Sequence, residues 1–180
     1  MEYIKTYSLE DETNYQYIQS QIDLPNWIDC LISNLYHHNT DWPHHNTKFW
    51  STPDRKWRQI LLDQDVTMGM TNLNKAYKDP LDSIHADNYS YLAIFYKELL
   101  KNEHFVRDYS NRFADLMNTI FLAEEYLPLV DEIMQEMEVE MPRHSERWNH
   151  SFSNWIDGPF TGYIRTYEGF LKRTLSLRFK

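Results

Sequence analysis

The chain has 180 residues, with 18 basic and 27 acidic side chains and a formal net charge of −9. Six Trp, thirteen Tyr and nine Phe exclude a disordered chain, and the acidic excess argues against a nucleic-acid partner, since phosphate contacts require clustered Lys and Arg. The single Cys30 excludes a disulfide framework, and no apolar run is long enough for a membrane span. The composition predicts a globular domain with a buried core.

The first strong periodic signal follows a polar segment. Residues 1–22 are rich in polar side chains and predict a frayed start or the end of a longer segment. Apolar residues then recur at helical spacing, which predicts a helix over about residues 24–38. Asp23 is suited to the N-cap, and Pro25 to the first turn, where its missing N–H costs nothing.

A loop and a hairpin are expected next. Residues 39–47 combine Asn, Thr and Pro and predict a loop. Residues 48–50 and 57–63 carry aromatic and aliphatic side chains on either side of a Pro-Asp turn, the pattern of a β-hairpin. The polar stretch of residues 63–87 is long for a structureless loop, and such loops are often functional.

The rest of the chain is helical in pattern, and apolar residues at helical spacing, such as Leu129, Ile133 and Met137, predict buried helix faces. Residues 88–180 predict four or five helices, with Pro128 a kink or early-turn position, a break at residues 157–159 and a last helix from about Phe160. The predicted fold class is therefore mainly α with one small β-hairpin (α+β).

Chemistry-bearing residues concentrate around the predicted loop and hairpin. Asp41 and Asn46 have the spacing of the catalytic loop of protein kinases, in which the Asp accepts the proton of a substrate hydroxyl and the Asn binds magnesium. Asp65 follows the hairpin and is placed to supply a second hard-cation ligand, with Asp63 two residues before it.

The spacing alone leaves two interpretations open. The same pattern occurs at Asp29 and Asn34, inside the first predicted helix, where it has no catalytic meaning. The pair in the loop therefore belongs either to a magnesium-phosphate site or to an Asp and an Asn that satisfy the backbone of a turn.

Longer motifs resemble a known family. The chain reads NTDWPHHN at residues 39–46, KFW at 48–50, KWR at 56–58 and LLDQD at 61–65. These segments resemble the core signature of the CotH family of kinase-like proteins, which takes its name from spore-coat protein H. Its helical C-terminal segment is similar to residues 95–100, Phe105, residues 112–119 and residues 138–148. The resemblance covers about residues 20–178.

The resemblance implies an atypical protein kinase that transfers phosphate from ATP to Ser or Thr of a protein substrate. Residues 23–180 would form the C-lobe of a divergent kinase-like fold, with the helix, loops and hairpin in residues 23–87 and a helical subdomain in residues 88–180. Residues 1–22 would form a separate polar segment.

The same resemblance implies roles for four side chains and two cofactors. Asp41 matches the catalytic Asp, Asn46 the metal-binding Asn, and Asp65 the metal-binding Asp that follows the hairpin. Asp63 matches the other acidic position of that segment and is a further candidate metal ligand. The implied cofactors are Mg²⁺ and ATP.

The chain also departs from the family pattern. Val66 and Thr67 stand where an aromatic residue and Gly are expected, and His45 stands where Asn is commoner. The first Gly is Gly69, so no Gly-rich phosphate loop precedes the site. The missing N-terminal lobe of the same protein is therefore an expected partner, and we expect little or no kinase activity from this chain alone.

Two other functions remain open on the sequence. One is a non-catalytic scaffold or interaction domain of the same fold, on a spore coat or a cell surface. The other is a metal-dependent hydrolase that uses His37, His38, His44 and His45 beside Asp41. The sequence leaves the compartment open among the cytoplasm, a spore coat and the cell surface.

Two arginines form a separate candidate contact. Arg143 and Arg147 are four residues apart, on one face of a predicted helix that Pro142 begins. They are candidate contacts for a phosphate or an acidic partner, or else pair with acids of the same chain.

Overall fold

The computed structural model describes residues 2–68 and 79–149. Its described part is mainly helical with one two-stranded antiparallel sheet, which confirms the predicted fold class. The predicted break at residues 157–159 and the last helix lie outside the described residues. The elements are α1 (Glu2–Thr6), α2 (Glu12–Gln21), α3 (Leu24–Tyr36), β1 (Lys48–Trp50), β2 (Arg58–Ile60), α4 (Leu81–Ala86), α5 (Tyr91–Leu99), α6 (Glu103–Met117), α7 (Ala123–Glu138) and α8 (Met141–Trp148).

The chain divides into two compact units. Of the described residues, 2–67 and 79–113 form the first unit, and Met68 and residues 114–149 belong to the second. The first unit contains the predicted loop and hairpin together with the N-terminal segment. The predicted domain boundary at residue 23 stays a prediction.

The expectation of a frayed start at residues 1–22 was wrong, because α1 and α2 form there. The Asp11 side chain accepts two backbone N–H groups of the first turn of α2, as an N-cap does. Leu9 and Tyr15 are buried, and Asn102 Nδ2 donates a hydrogen bond to the Leu9 carbonyl at 3.1 Å. A few buried side chains and this hydrogen bond thus hold an otherwise polar segment within the first unit.

The helix α3 forms as predicted. Asp23 Oδ1 accepts the backbone N–H three residues ahead at 3.2 Å, and Pro25 lies in the first turn. The helix ends at Tyr36, and the left-handed residue that follows it is His38, with φ 51°. The chain then turns away from the helix axis into the candidate loop.

Aromatic packing fixes α3 against α5 and α6. Trp27 is fully buried, and its ring lies edge-on to that of Phe95, with the ring centroids 5.2 Å apart. The centroid of the Trp27 ring lies 5.9 Å from that of Phe105. Phe105 in turn stacks on Tyr109 at 5.9 Å. Burial of side chains this large is a main source of stability, so this cluster fixes the elements from which the loops begin.

The hairpin is shorter than predicted in its second strand, which covers Arg58–Ile60. Its strands pair in register from Lys48 opposite Ile60. The hairpin is fixed to α3, because the Gln59 N–H donates to Asn26 Oδ1 at 2.7 Å and Cys30 Sγ approaches the Gln59 carbonyl at 3.7 Å. Burial raises the pKa of the Cys30 thiol, which disfavours a reactive thiolate at this position.

The helices of the second unit keep much of their apolar surface in water. Leu129, Ile133 and Met137 of α7 follow one helical stripe, which the sequence predicts to be buried, yet each is about half exposed. Asn149 ends α8 in the left-handed conformation, with φ 54°. No helix within residues 2–68 or 79–149 is long and apolar enough to cross a membrane.

Candidate functional site

The loop of residues 39–47 begins on a buried amide. Asn39 is 6% exposed, and its Oδ1 accepts the backbone N–H of Asp41 at 3.0 Å. Its Nδ2 donates to Asn34 Oδ1 at 3.1 Å and to the Asp63 carbonyl at 3.4 Å. One side chain thus connects the end of α3, the residue proposed for catalysis and the segment after the hairpin.

The segment after β2 is fixed to the same amides. Gln64 Nε2 donates to Asn34 Oδ1 at 3.2 Å, and the Thr40 N–H donates to the Val66 carbonyl at 3.2 Å. The Thr67 hydroxyl donates to the Gln64 carbonyl at 2.8 Å, which closes the turn. Because buried polar groups are costly when unpaired, these bonds strongly favour one arrangement of loop and segment.

This arrangement places Asp65, Asp41 and Asn46 within electrostatic or hydrogen-bonding range of Asp63. The negative charge of Asp65 is the main cause that raises the pKa of Asp63, followed by the hydrogen bond that a protonated Asp63 donates to Asp65. A smaller desolvation effect and the charge of Asp41 raise this pKa further, and a hydrogen bond from Asn46 lowers it. Asp63 and Asp65 are exposed, whereas Asp41 and Asn46 are partly buried.

Two of these residues occupy unusual backbone conformations. Asn46 has φ 58° and Asp63 has φ 54°, both in the left-handed region that Asn and Asp tolerate best among residues with a side chain. Asn46 turns the chain near the end of the loop of residues 39–47, and Asp63 turns it in the segment after β2. The catalytic and ligand roles of the four residues stay predictions, and among residues 2–68 and 79–149 no three His, Cys, Asp or Glu side chains form a metal-binding group by themselves.

The histidines of the loop have separate surroundings. His37 Nδ1 lies 2.8 Å from the Ser33 carbonyl, and burial lowers the pKa of its imidazole. His44 and His45 are exposed, and His44 Nδ1 lies 3.5 Å from Asp87 Oδ2. Nothing in the described part of the chain gathers the histidines around a common point.

Asp87 is a residue that the sequence analysis missed. Its side chain is 5% exposed, and its Oδ1 accepts the backbone N–H groups of Tyr89 at 2.8 Å and Ser90 at 3.0 Å. Burial acts to raise the pKa of Asp87, but hydrogen bonds from Ser90 and Tyr89 outweigh it, and the pKa falls to about 2. An Asp three residues before the Ser N-cap of α5 is a turn signal that was available in the sequence.

The two candidate arginines lie in the second unit. Arg143 Nη1 is 3.2 Å from Glu140 Oε2, an exposed pair of the kind predicted as the alternative to an external partner. The Arg147 guanidinium lies 5.0 Å from the ring centroid of Trp148. Their proposed contacts with a phosphate or an acidic partner stay predictions.

The fold and the loop geometry define a mainly helical domain that presents an Asp and an Asn beside a pair of acids. A family model described as CotH kinase protein matches residues 1–169. The chain therefore belongs to the CotH kinase family, and the match includes residues 1–19, which lie before the resemblance noted from the motifs. No curated protein and no solved structure gives a significant match.

Proposed function

We propose that this chain carries the acceptor and metal-binding side of an ATP-dependent protein Ser/Thr kinase. The observation that carries the proposal is that Asp65, Asp41 and Asn46 all act on Asp63: the two charges raise its pKa, and the hydrogen bond from Asn46 lowers it. Carboxylates that repel one another are held together at a cost, which a hard divalent cation relieves. Family membership supports a kinase-related activity.

The chain's own residues have distinct tasks in this proposal. Asp41 accepts the proton of the substrate hydroxyl, and the bond from its backbone N–H to Asn39 fixes its position. Asp65 supplies a charged oxygen ligand, and Asn46 a neutral one that adds no further repulsion. Bound Mg²⁺ supplies the charge that neutralises the ATP phosphates.

The amino-acid sequence limits what we expect the chain to do alone. No Gly-rich phosphate loop occurs in it, and no strand Lys accompanies one. We expect residues 1–180 to bind Mg²⁺-nucleotide through the candidate site. Because the phosphate loop and its Lys are absent from the sequence, we expect phosphate transfer to be slow or not to occur. Robust ATP-dependent phosphorylation by this chain would contradict that expectation.

Calorimetric titration with ADP, with and without Mg²⁺, tests the proposal. We expect Mg²⁺-dependent binding that weakens about tenfold or more in Asp65→Ala, in the range seen when metal-site groups are removed. Asp54→Ala is the matched control, because Asp54 is an exposed acid in the hairpin turn whose side chain bonds Thr52. Equal binding by the Asp65→Ala and Asp54→Ala variants would refute the metal role of Asp65.

A specific observation also favours a non-catalytic scaffold as the second candidate. Val66 and Thr67 replace the aromatic residue and Gly of the family pattern, and both take part in the bonds that fix the loop. Val66 takes part through its backbone carbonyl, and Thr67 through its hydroxyl, so the side chain of Thr67 supports the turn where the family pattern has Gly. Absence of nucleotide binding, in a protein whose loop is intact, would favour this candidate over the kinase.

A further inference from the structure

An open groove of about 720 Å³ lies beside the candidate loop, within the first unit. One wall comes from α1 and α2, and another from the start of α5. The loop contributes Pro43, His44 and Thr47, and the residue before β2 contributes Trp57. The N-terminal segment that the sequence analysis set aside thus forms part of this surface.

The rim of the groove exposes large aromatic side chains. Tyr17 is 46% exposed, Trp57 49% and Tyr91 64%, and all three line the groove. The described residues that line it include no Lys or Arg. Aromatic rings gain free energy when a ligand covers them, and clustered exposed apolar surface marks binding sites. The groove therefore selects by apolar contact rather than by charge.

The groove and the candidate site share one loop. Pro43 lies two residues after Asp41, and two residues of chain span at most about 7 Å. An extended peptide rises about 3.3 Å per residue. An apolar side chain against the Pro43 wall of the groove would thus lie about two or three residues from a hydroxyl at Asp41.

We propose that this groove binds the protein substrate itself. The occupant is an extended segment whose acceptor Ser or Thr has an aliphatic or Pro side chain about two or three residues away. The inference rests on the proposed function, which supplies the acceptor position. A groove of about 720 Å³ accommodates a few side chains, and its wall at Pro43 is close enough to Asp41 for one segment to occupy the groove and the acceptor position together.

Fluorescence anisotropy with labelled Ser-centred peptides tests the proposal. Leu or Pro is placed at each position on both sides of the Ser, with Gly as the reference, and neither ATP nor Mg²⁺ is present. We expect one position near the Ser to tighten binding to the full chain. Trp57→Ala should weaken that binding about tenfold, the scale of a central aromatic contact.

The hairpin offers a matched control. Trp50 is 40% exposed on β1 and is not among the residues that line the groove, so Trp50→Ala should leave peptide binding unchanged. Trp57→Ala keeps the backbone bonds of Trp57 with Gln21 and Asp23. Tyr91→Ala is a second variant at the groove, and we expect it to weaken peptide binding as well. It keeps the proposal testable if Trp57→Ala fails to fold.

Three results would overturn the proposal. The first is peptide binding that shows no preference for Leu or Pro over Gly at any position. The second is an equal effect of Trp57→Ala and Trp50→Ala on peptide binding. The third is a concentration-dependent dimer that Trp57→Ala disrupts, which would assign the groove to a second copy of the chain. Because the assay contains no nucleotide, peptide binding with failed ADP binding would overturn the kinase and keep the groove. The reverse result would overturn only the groove.

Discussion

Two carboxylates near the loop of residues 39–47 have opposite electrostatic surroundings. Asp87 is buried and has a pKa of about 2, whereas Asp63 is exposed and has a raised pKa. Exposure alone predicts the reverse order, because burial penalises a charged carboxylate and water favours it. The neighbours of each acid must therefore decide its charge state.

The neighbours differ in kind. Asp87 accepts two backbone N–H groups, from Tyr89 and Ser90, which favour its charged form. Asp63 lies beside Asp65 and within range of Asp41, which disfavour a further charge. Asp87 thus serves as a structural support for the start of α5, and Asp63 belongs to a cluster whose repulsion a cation would relieve.

The largest expected effect comes from the amide that holds this cluster in place. Asn34→Leu removes the buried oxygen that accepts from both Asn39 and Gln64. We expect the free energy of unfolding to fall by about 2 kcal/mol, since two donors lose a partner in a buried place. If these amides hold the acids together, the pKa of Asp63, measured by NMR titration, should also move back toward its ordinary value.

Asn111→Leu is the control for this change, because Asn111 is an exposed amide on α6. We expect its effect on the free energy of unfolding to stay within about 0.5 kcal/mol. An Asn34→Leu protein as stable as the control, or with an unchanged Asp63 pKa, would show that other contacts hold the acids together.

Asn34 also shows where prediction from the sequence ends. The chance match of Asp29 and Asn34 has no catalytic meaning on the sequence, and Asp29 forms an exposed ion pair with Arg112 at 2.7 Å. Asn34, however, is 3% exposed and connects three segments. Residue spacing along a helix reports which face a side chain occupies, but not which distant backbone it meets.

The remaining outcomes follow the same physical limit. The hairpin and α3 were predicted because caps, a Pro-Asp turn and periodicity are local signals. The helices of residues 1–22 were missed because the segment is mostly polar, although Asp11 is a local cap signal for α2. The bond from Asn102 to the Leu9 carbonyl is a distant contact that local patterns do not show. The stripe of α7 was predicted to be buried, but it is about half exposed. Periodicity shows that a helix is amphipathic and does not show what covers its apolar face.

The next prediction concerns the buried acid. Asp87→Asn keeps a carbonyl oxygen for the N–H groups but removes the charge, so we expect the free energy of unfolding at neutral pH to fall by about 1 kcal/mol. The folded pKa of Asp87 is below its ordinary value of 3.8, so its contribution is present above that pH and is lost as the pH falls toward about 2. Urea unfolding across this range should show a shallower acid loss in the variant.

Asp54→Asn is the control for that change, because Asp54 lies exposed in the hairpin turn. We expect it to keep the acid loss of the unmodified protein. Identical acid profiles for all three proteins would mean that Asp87 does not contribute to stability through its charge.

The smallest expected effect has the opposite sign and concerns Asp63. The pKa of Asp63 in the folded state is raised above its ordinary value of 3.8. Between these two pKa values the folded state binds more protons than the unfolded state, so the free energy of unfolding falls as the pH rises through this window. Asp63→Asn removes one repelling charge, and Asn tolerates the left-handed conformation of this position. We therefore expect a slightly higher thermal midpoint at neutral pH and a smaller stabilisation by added Mg²⁺ than in the unmodified protein. A lower midpoint for Asp63→Asn would place it with Asp87→Asn, and the contrast between a supporting acid and a repelling acid would then be wrong.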